Sequence, residues 1–204
     1  VDERTRELRE QVIERERSEK LQAALFRIAE QAGRSESIEV FYAEVHGIVS
    51  DLLDARNFFI ALLTPDGREL DFPYSVDERD QKRPRRRLAK GLTEFVLGSG
   101  SPLLANAADV RALVASGQVM SSGAPSVCWL GVPLQIEGRV AGVIAVQSYT
   151  PDYLYTKRDQ ELLSFVSFHI AQALERRQAH ESLREAYGEL ERRVADRTHE
   201  LADA

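Results

Sequence analysis

The chain has 204 residues, of which 43% are hydrophobic and 29% charged, with a formal net charge of -6. This length suits one domain with appendages, and the acidic balance argues against a nucleic-acid binder, which carries a basic excess. No apolar run approaches the ~20 residues that span a bilayer, no secretory signal opens the chain, and a lone cysteine excludes an internal disulfide, so a cytoplasmic setting is expected.

Residues 1–8 (VDERTREL) and 194–201 (VADRTHEL) repeat one helical phrase, as in an array of units of about this size. Met120 is the only methionine, so Val1 is expected to be a point inside a longer protein. From Val1 to about Ala32 there is no proline or glycine, and charges alternate in sign. Leu21, Leu25, Ile28 and Ala32 form the seam of a coiled coil or of a helix laid on a domain. Gly33 should end this helix, and Ser35 or Ser37 can cap the next. The second helix carries Ile38, Phe41, Val45, Ile48 and Leu52 on one stripe and should lie against a sheet.

Phe58 to Leu63 is a continuous apolar run, as expected for a strand covered on both faces. Thr64-Pro65-Asp66-Gly67 is turn chemistry, and Glu69 to Val76 can return as the partner strand. A loop follows that is acidic at Asp77, Glu78 and Asp80, then basic at Lys82, Arg83, Arg85, Arg86 and Arg87. Short helices are expected over Gly91 to Leu97 and Ala107 to Gln118. The clearest hairpin joins Val127–Leu134 to Arg139–Ser148 through Glu137-Gly138. Pairing Ile136 with Arg139 puts Cys128, Leu130, Val132, Val143, Ala145 and Gln147 on one face. Trp129, Gly131, Pro133, Ile144, Val146 and Ser148 then share the other. Both faces are apolar, which places the hairpin in the middle of a covered sheet.

Thr156, with Asp159 three residues on, should start a helix that no proline interrupts before Ala204, a reach of about 70 Å. Leu162, Phe165, Val166, Ile170 and Leu174 should cover the sheet. Beyond them only a narrow seam remains: Leu183, Tyr187, Leu190, Val194 and Leu201, with Arg197 at one inward position. One copy cannot bury such a seam, so a homodimer is expected, held by Leu21, Leu25, Ile28 and these five residues.

The strings Leu130-Gly131-Val132-Pro133-Leu134 and Val140-Ala141-Gly142-Val143-Ile144-Ala145-Val146, the turn at Gly138 and the helix from Asp159 through Ala171 resemble a GAF domain. Arg56-Asn57-Phe58-Phe59-Ile60-Ala61-Leu62 and Gly91-Leu92-Thr93-Glu94-Phe95-Val96 are similar to GAF units of bacterial diguanylate cyclases and sensor histidine kinases. The resemblance implies an α+β fold, a GAF/PAS-like central antiparallel sheet covered by helices, with long N- and C-terminal coiled-coil signalling helices. It divides the chain into an N-terminal signalling helix (1–34), a sensor domain (35–175) and a C-terminal coiled coil (176–204). It implies a regulatory module that relays binding to a covalently linked output domain, a diguanylate cyclase in cyclic di-GMP signalling or a histidine kinase. The alternative is a ligand-free dimerisation and spacer module. By analogy with ligand-bound GAF domains, Phe59, Phe72, Tyr74, Phe95, Trp129 and Ser148 line a small-molecule pocket, while Cys128 looks toward the terminal helices.

No enzyme and no cofactor is expected. Bilin-binding GAF domains usually follow the cysteine with histidine, whereas here Trp129 follows Cys128. GAF-fold methionine sulfoxide reductases work through several cysteines, and one thiol cannot form their intramolecular disulfide. His46, His169, His180 and His199 never stand at metal-pair spacing. The run from Lys82 to Arg87 reads either as a solvated loop or as a rim that attracts a phosphate- or carboxylate-bearing ligand.

Overall fold

Six antiparallel strands form one open sheet in the order β3-β2-β1-β6-β5-β4. The structure is a computed structural model that describes residues 2–35, 37–80, 83–120 and 123–202. The strands are β1 (Phe58–Leu63), β2 (Glu69–Val76), β3 (Arg86–Arg87), β4 (Leu103–Asn106), β5 (Cys128–Ile136) and β6 (Arg139–Ser148). The helices are α1 (Asp2–Arg34), α2 (Ile38–Ser50), α3 (Leu92–Ser99), α4 (Ala107–Ala115) and α5 (Lys157–Ala202). Central β1, β5 and β6 are buried on both faces over most of their length, which is why they read as apolar runs without alternation.

The two faces carry separate cores. Helices α1, α2 and α5 cover one, where Ile28, Phe41, Ile48, Leu163 and Ile170 meet Phe58, Ile60, Leu130 and Ile144. The other face holds Phe59, Ala61, Leu70, Trp129, Val143 and Ala145, with Val96 of α3 packed on them.

Ile136 does pair with Arg139, but the register then shifts: Gln135 faces Val140 and Leu134 faces Gly142. Ala141 is thus an extra residue in β6, a β-bulge. Past it Cys128, Leu130 and Val132 lie opposite Ser148, Val146 and Ile144, while Trp129 and Gly131 lie opposite Gln147 and Ala145. This corrects the expected faces. Side chains alternate with period two, so one inserted residue exchanges the side of every β6 residue beyond it. A second bulge lies in β2, where Ile60 faces Tyr74 and Leu62 faces Asp71. Pro73 sits in that gap, where its missing N–H costs no ladder bond.

Helix α1 runs through Gly33 to Arg34, and Ser37 caps α2 by accepting from the Val40 N–H. Helices α1 and α5 lie side by side and point the same way. Arg158 pairs with Glu14, and Arg177 donates to the Ser35 carbonyl at 3.0 Å. Residues 178–202 continue about 37 Å past Arg177 at the α-helical rise.

The apolar residues of α1 divide differently from the expected seam. Ile28 is fully buried, and Leu21 and Leu25 pack beside it on the helical core. Ile28 is thus spent within the chain and Leu21 and Leu25 are partly so; the large apolar side chains that α1 exposes are Leu8, Val12, Ile13 and Phe26. On α5, Phe165 does not cover the sheet but is 46% exposed, as is Phe168 at 55%. Leu183, Tyr187, Leu190 and Val194 are 56–61% exposed, and the Leu201 and His199 side chains lie outside the described ones. On a straight helix Phe165, Phe168, Leu183, Tyr187, Leu190 and Val194 share one face about 100° wide.

Close approach of β1 and β6 depends on Gly142, where an added Cβ would sit 2.3 Å from the Ala61 carbonyl oxygen. Gly142→Ala should lower the urea unfolding free energy by about 1–3 kcal/mol. Gly47→Ala in α2 meets nothing within 4 Å, and should raise it by up to about 1 kcal/mol. Equal midpoints for the two variants would contradict this packing.

Candidate functional site

A cavity of about 760 Å³ lies on the Trp129 side of the sheet, beneath the start of α3, helix α4 and the loops before β3 and β5. Its floor is Phe59, Phe72 and Trp129. The Trp129 ring has room because residue 131 is glycine: a Cβ there would lie 2.1 Å from the indole. Among the other expected pocket residues, Tyr74 and Ser148 lie on the opposite face and Phe95 of α3 is half-buried away from the cavity. For the two strand residues, the bulges are the reason. Tyr74 faces the helical core beside Ile60, and Ser148 lies opposite Cys128 and donates to the Thr150 carbonyl at 2.8 Å. Gln147 is the β6 residue that reaches the cavity.

Behind the floor lies a polar cluster that charge alone did not disclose. The Asp77 side chain is 1% exposed and accepts five hydrogen bonds. They come from the Arg79 and Asp80 N–H groups (2.9 and 2.8 Å), the Tyr149 hydroxyl (2.8 Å), Gln147 Nε2 (2.6 Å) and Arg83 Nη2 (3.0 Å). Burial alone would push the Asp77 carboxyl up, but these donors outweigh it and hold the group below the usual carboxylate range. Burial, then the bond to Asp77, pushes the Tyr149 phenol up. The Arg83 guanidinium lies 4.4 Å from the Phe59 ring centroid, a cation–π contact on the cavity floor.

Most of the basic run is stitched to carboxylates. Arg85 pairs with Glu69 at 2.7 Å, Arg86 with Glu94, and Arg83 with Asp77; Lys82 lies outside the described residues. Glu94 also accepts from the Ala89 and Gly91 N–H groups at 2.9 and 3.1 Å, fixing the loop that leads into α3. Asp80 accepts from the Ala124 N–H at 3.2 Å, and the Lys90 carbonyl from the Met120 N–H at 2.6 Å. These two bonds join the loops on either side of the cavity mouth.

Cys128 is buried on the helical face, where burial pushes its thiol up. His46 stacks on Phe58; its Nε2–H donates to the Ala55 carbonyl at 2.7 Å, leaving Nδ1 to accept from the Tyr74 hydroxyl at 2.9 Å. His169 sits edge-on to Phe165 and Phe168. Among the described residues no three His, Cys, Asp or Glu side chains are grouped to hold a metal ion, and no helix is long and apolar enough to cross a membrane.

A carboxyl that titrates lower in the folded chain contributes stability above its unfolded value and loses it progressively below about pH 5. Asp77→Asn should therefore cost about 1–3 kcal/mol at neutral pH, because buried donors lose a charged acceptor. Stability of the variant should also fall less than wild type between neutral and mildly acid pH. Urea unfolding followed by Trp129 emission measures both; parallel pH profiles would remove Asp77 from this role.

The GAF domain family model matches residues 35–175. The circadian input-output histidine kinase CikA of Synechococcus elongatus is 30% identical over 79 residues, which are 39% of this chain and 10% of that protein. The chain thus spans a small part of this curated relative. A GAF domain of A. aeolicus nlh2 in an inactive state superposes with a TM-score of 0.58 at 16% identity, covering 79% of this chain and 99% of that one. The free methionine-R-sulfoxide reductase of Neisseria meningitidis, in complex with its substrate, gives 0.60 at 15% identity, with 78% and 91% covered. At such identities the structural likeness shows the fold alone. The matched family model covers well over half of the sequence, and the chain belongs to the GAF domain family.

Proposed function

We propose that this GAF domain senses a small molecule and passes the binding event through paired α1 and α5 helices to an output domain in the same polypeptide. The observation that carries the reading is the division of labour across one sheet. Trp129 and Gln147 meet the cavity, while Cys128 and Ser148, their neighbours on the same strands, meet the helical layer. A shift of β5 or β6 on the cavity side is therefore felt directly under α5. A ligand biases the helices only as far as its affinity differs between two helix packings.

The output is proposed to be a histidine kinase or a diguanylate cyclase, and the similarity to a histidine kinase over 79 residues favours the first. The proposed assembly is a cytoplasmic homodimer that binds no nucleic acid. The exposed apolar residues on one face of α5, Phe165 and Phe168 and then Leu183, Tyr187, Leu190 and Val194 beyond a polar stretch at Gln172 and Arg176, support the second copy. The module is proposed to be non-catalytic. Its single thiol is buried on the face away from the cavity, where a protonated cysteine is a poor nucleophile.

Sedimentation velocity tests the relay's premise. Wild type should sediment as a dimer, and Leu190→Glu with Val194→Glu should yield folded monomers. An unchanged mass in solution would refute dimerisation through α5. A dimer whose cavity takes up no small molecule would leave the spacer role instead.

A further inference from the structure

The charged hydrogen-bonding capacity left open at the cavity wall is donor capacity. Three guanidinium groups, those of Arg83, Arg86 and Arg111, line the cavity, against the single carboxylate of Asp80. Asp80 is already engaged by the Ala124 N–H at 3.2 Å and by Arg83 Nη2 at 3.7 Å. Arg86 is engaged by Glu94. Arg83 spends only Nη2 on carboxylates, and its Nε is buried without an acceptor. Arg111, on the exposed side of α4, makes no hydrogen bond or ion pair among the described residues.

Thr93, Ser126 and Gln147 are the neutral polar residues of the wall, and most of the remainder is apolar: Phe59, Phe72 and Trp129 below, Val110, Val114 and Met120 above. Asp77 pins Arg83 against Phe59 before any guest arrives, which lowers the ordering cost of binding. A planar guanidinium held this way suits an oxyanion, to which it can donate twice.

We propose that the cavity takes an amphipathic organic anion: an apolar, ring-bearing body along Trp129 and Phe72, with one carboxylate, sulfonate or phosphate group received by Arg111 and Arg83. This rests on the reading of the cavity as a ligand site. The volume of about 760 Å³ is ample for such a molecule.

Two dyes with one ring body separate the claims. Anilinonaphthalene sulfonate carries the charge and phenyl-naphthylamine lacks it. Binding is read on the full chain by quenching of Trp129, its only tryptophan. The sulfonate should bind once per chain and about tenfold tighter than the neutral dye, the scale of a charge-assisted hydrogen bond. Arg111→Gln should remove most of that advantage and leave the neutral dye unaffected; added salt should do the same. Arg83→Lys, which keeps a cation for Asp77, should weaken the sulfonate in the same direction. Equal affinity of the two dyes, indifferent to Arg111→Gln, would overturn the anion preference while leaving the cavity a ligand site. Failure of both dyes to quench Trp129 would sink the ligand-site reading itself.

Discussion

The hydrogen-bonded register of β5 against β6 decides what every other part of the domain can reach. Ala141 enters β6 as an extra residue, and beyond it each side chain stands on the side opposite to the one simple pairing would give it. That exchange sends Gln147 to the cavity and to Asp77, and returns Ser148 to the helical side. The bulge in β2 does the same for Tyr74, which meets His46 and Phe58 beneath α2. Without these two insertions the cavity would have a different floor and the polar cluster behind it would have no Gln147.

That cluster depends in turn on burying a charge. A carboxylate with 1% of its side chain exposed is tolerable only when donors surround it, and Asp77 has five. Two of them are backbone groups of its own loop, so one side chain both shapes residues 77–80 and anchors Arg83 on Phe59. Tyr149 and Gln147 tie this arrangement to the end of β6. The cavity wall is thus an extension of the sheet.

Much of the architecture was legible because it follows period and punctuation. The apolar run Phe58–Leu63 and the turn at Glu137-Gly138 gave the strands their limits, and Gly138 does adopt a positive φ of 73°. Phe59, Phe72 and Trp129 were named together by analogy with ligand-bound GAF domains, and the structure gathers these three on one face of the sheet. Tyr74 and Ser148 were misplaced because a bulge leaves no mark on hydrophobic pattern when both faces are apolar. Ile28 read as an outer seam because a coiled-coil seam and a helix laid on its own domain share one spacing. The loop charges were visible, but which of them paired was not: ion pairs such as Asp77–Arg83 are set by the folded loop.

Helices α1 and α5 run in the same direction along the helical core, tied near Glu14 and again near Ser35. In the proposed relay, a push or twist that arrives along α1 would leave along α5 toward the opposite end. An antiparallel pair would send it back to the side it came from. Under that proposal the domain would sit midway along a rod, with its entry and exit at opposite ends of the sheet's helical layer.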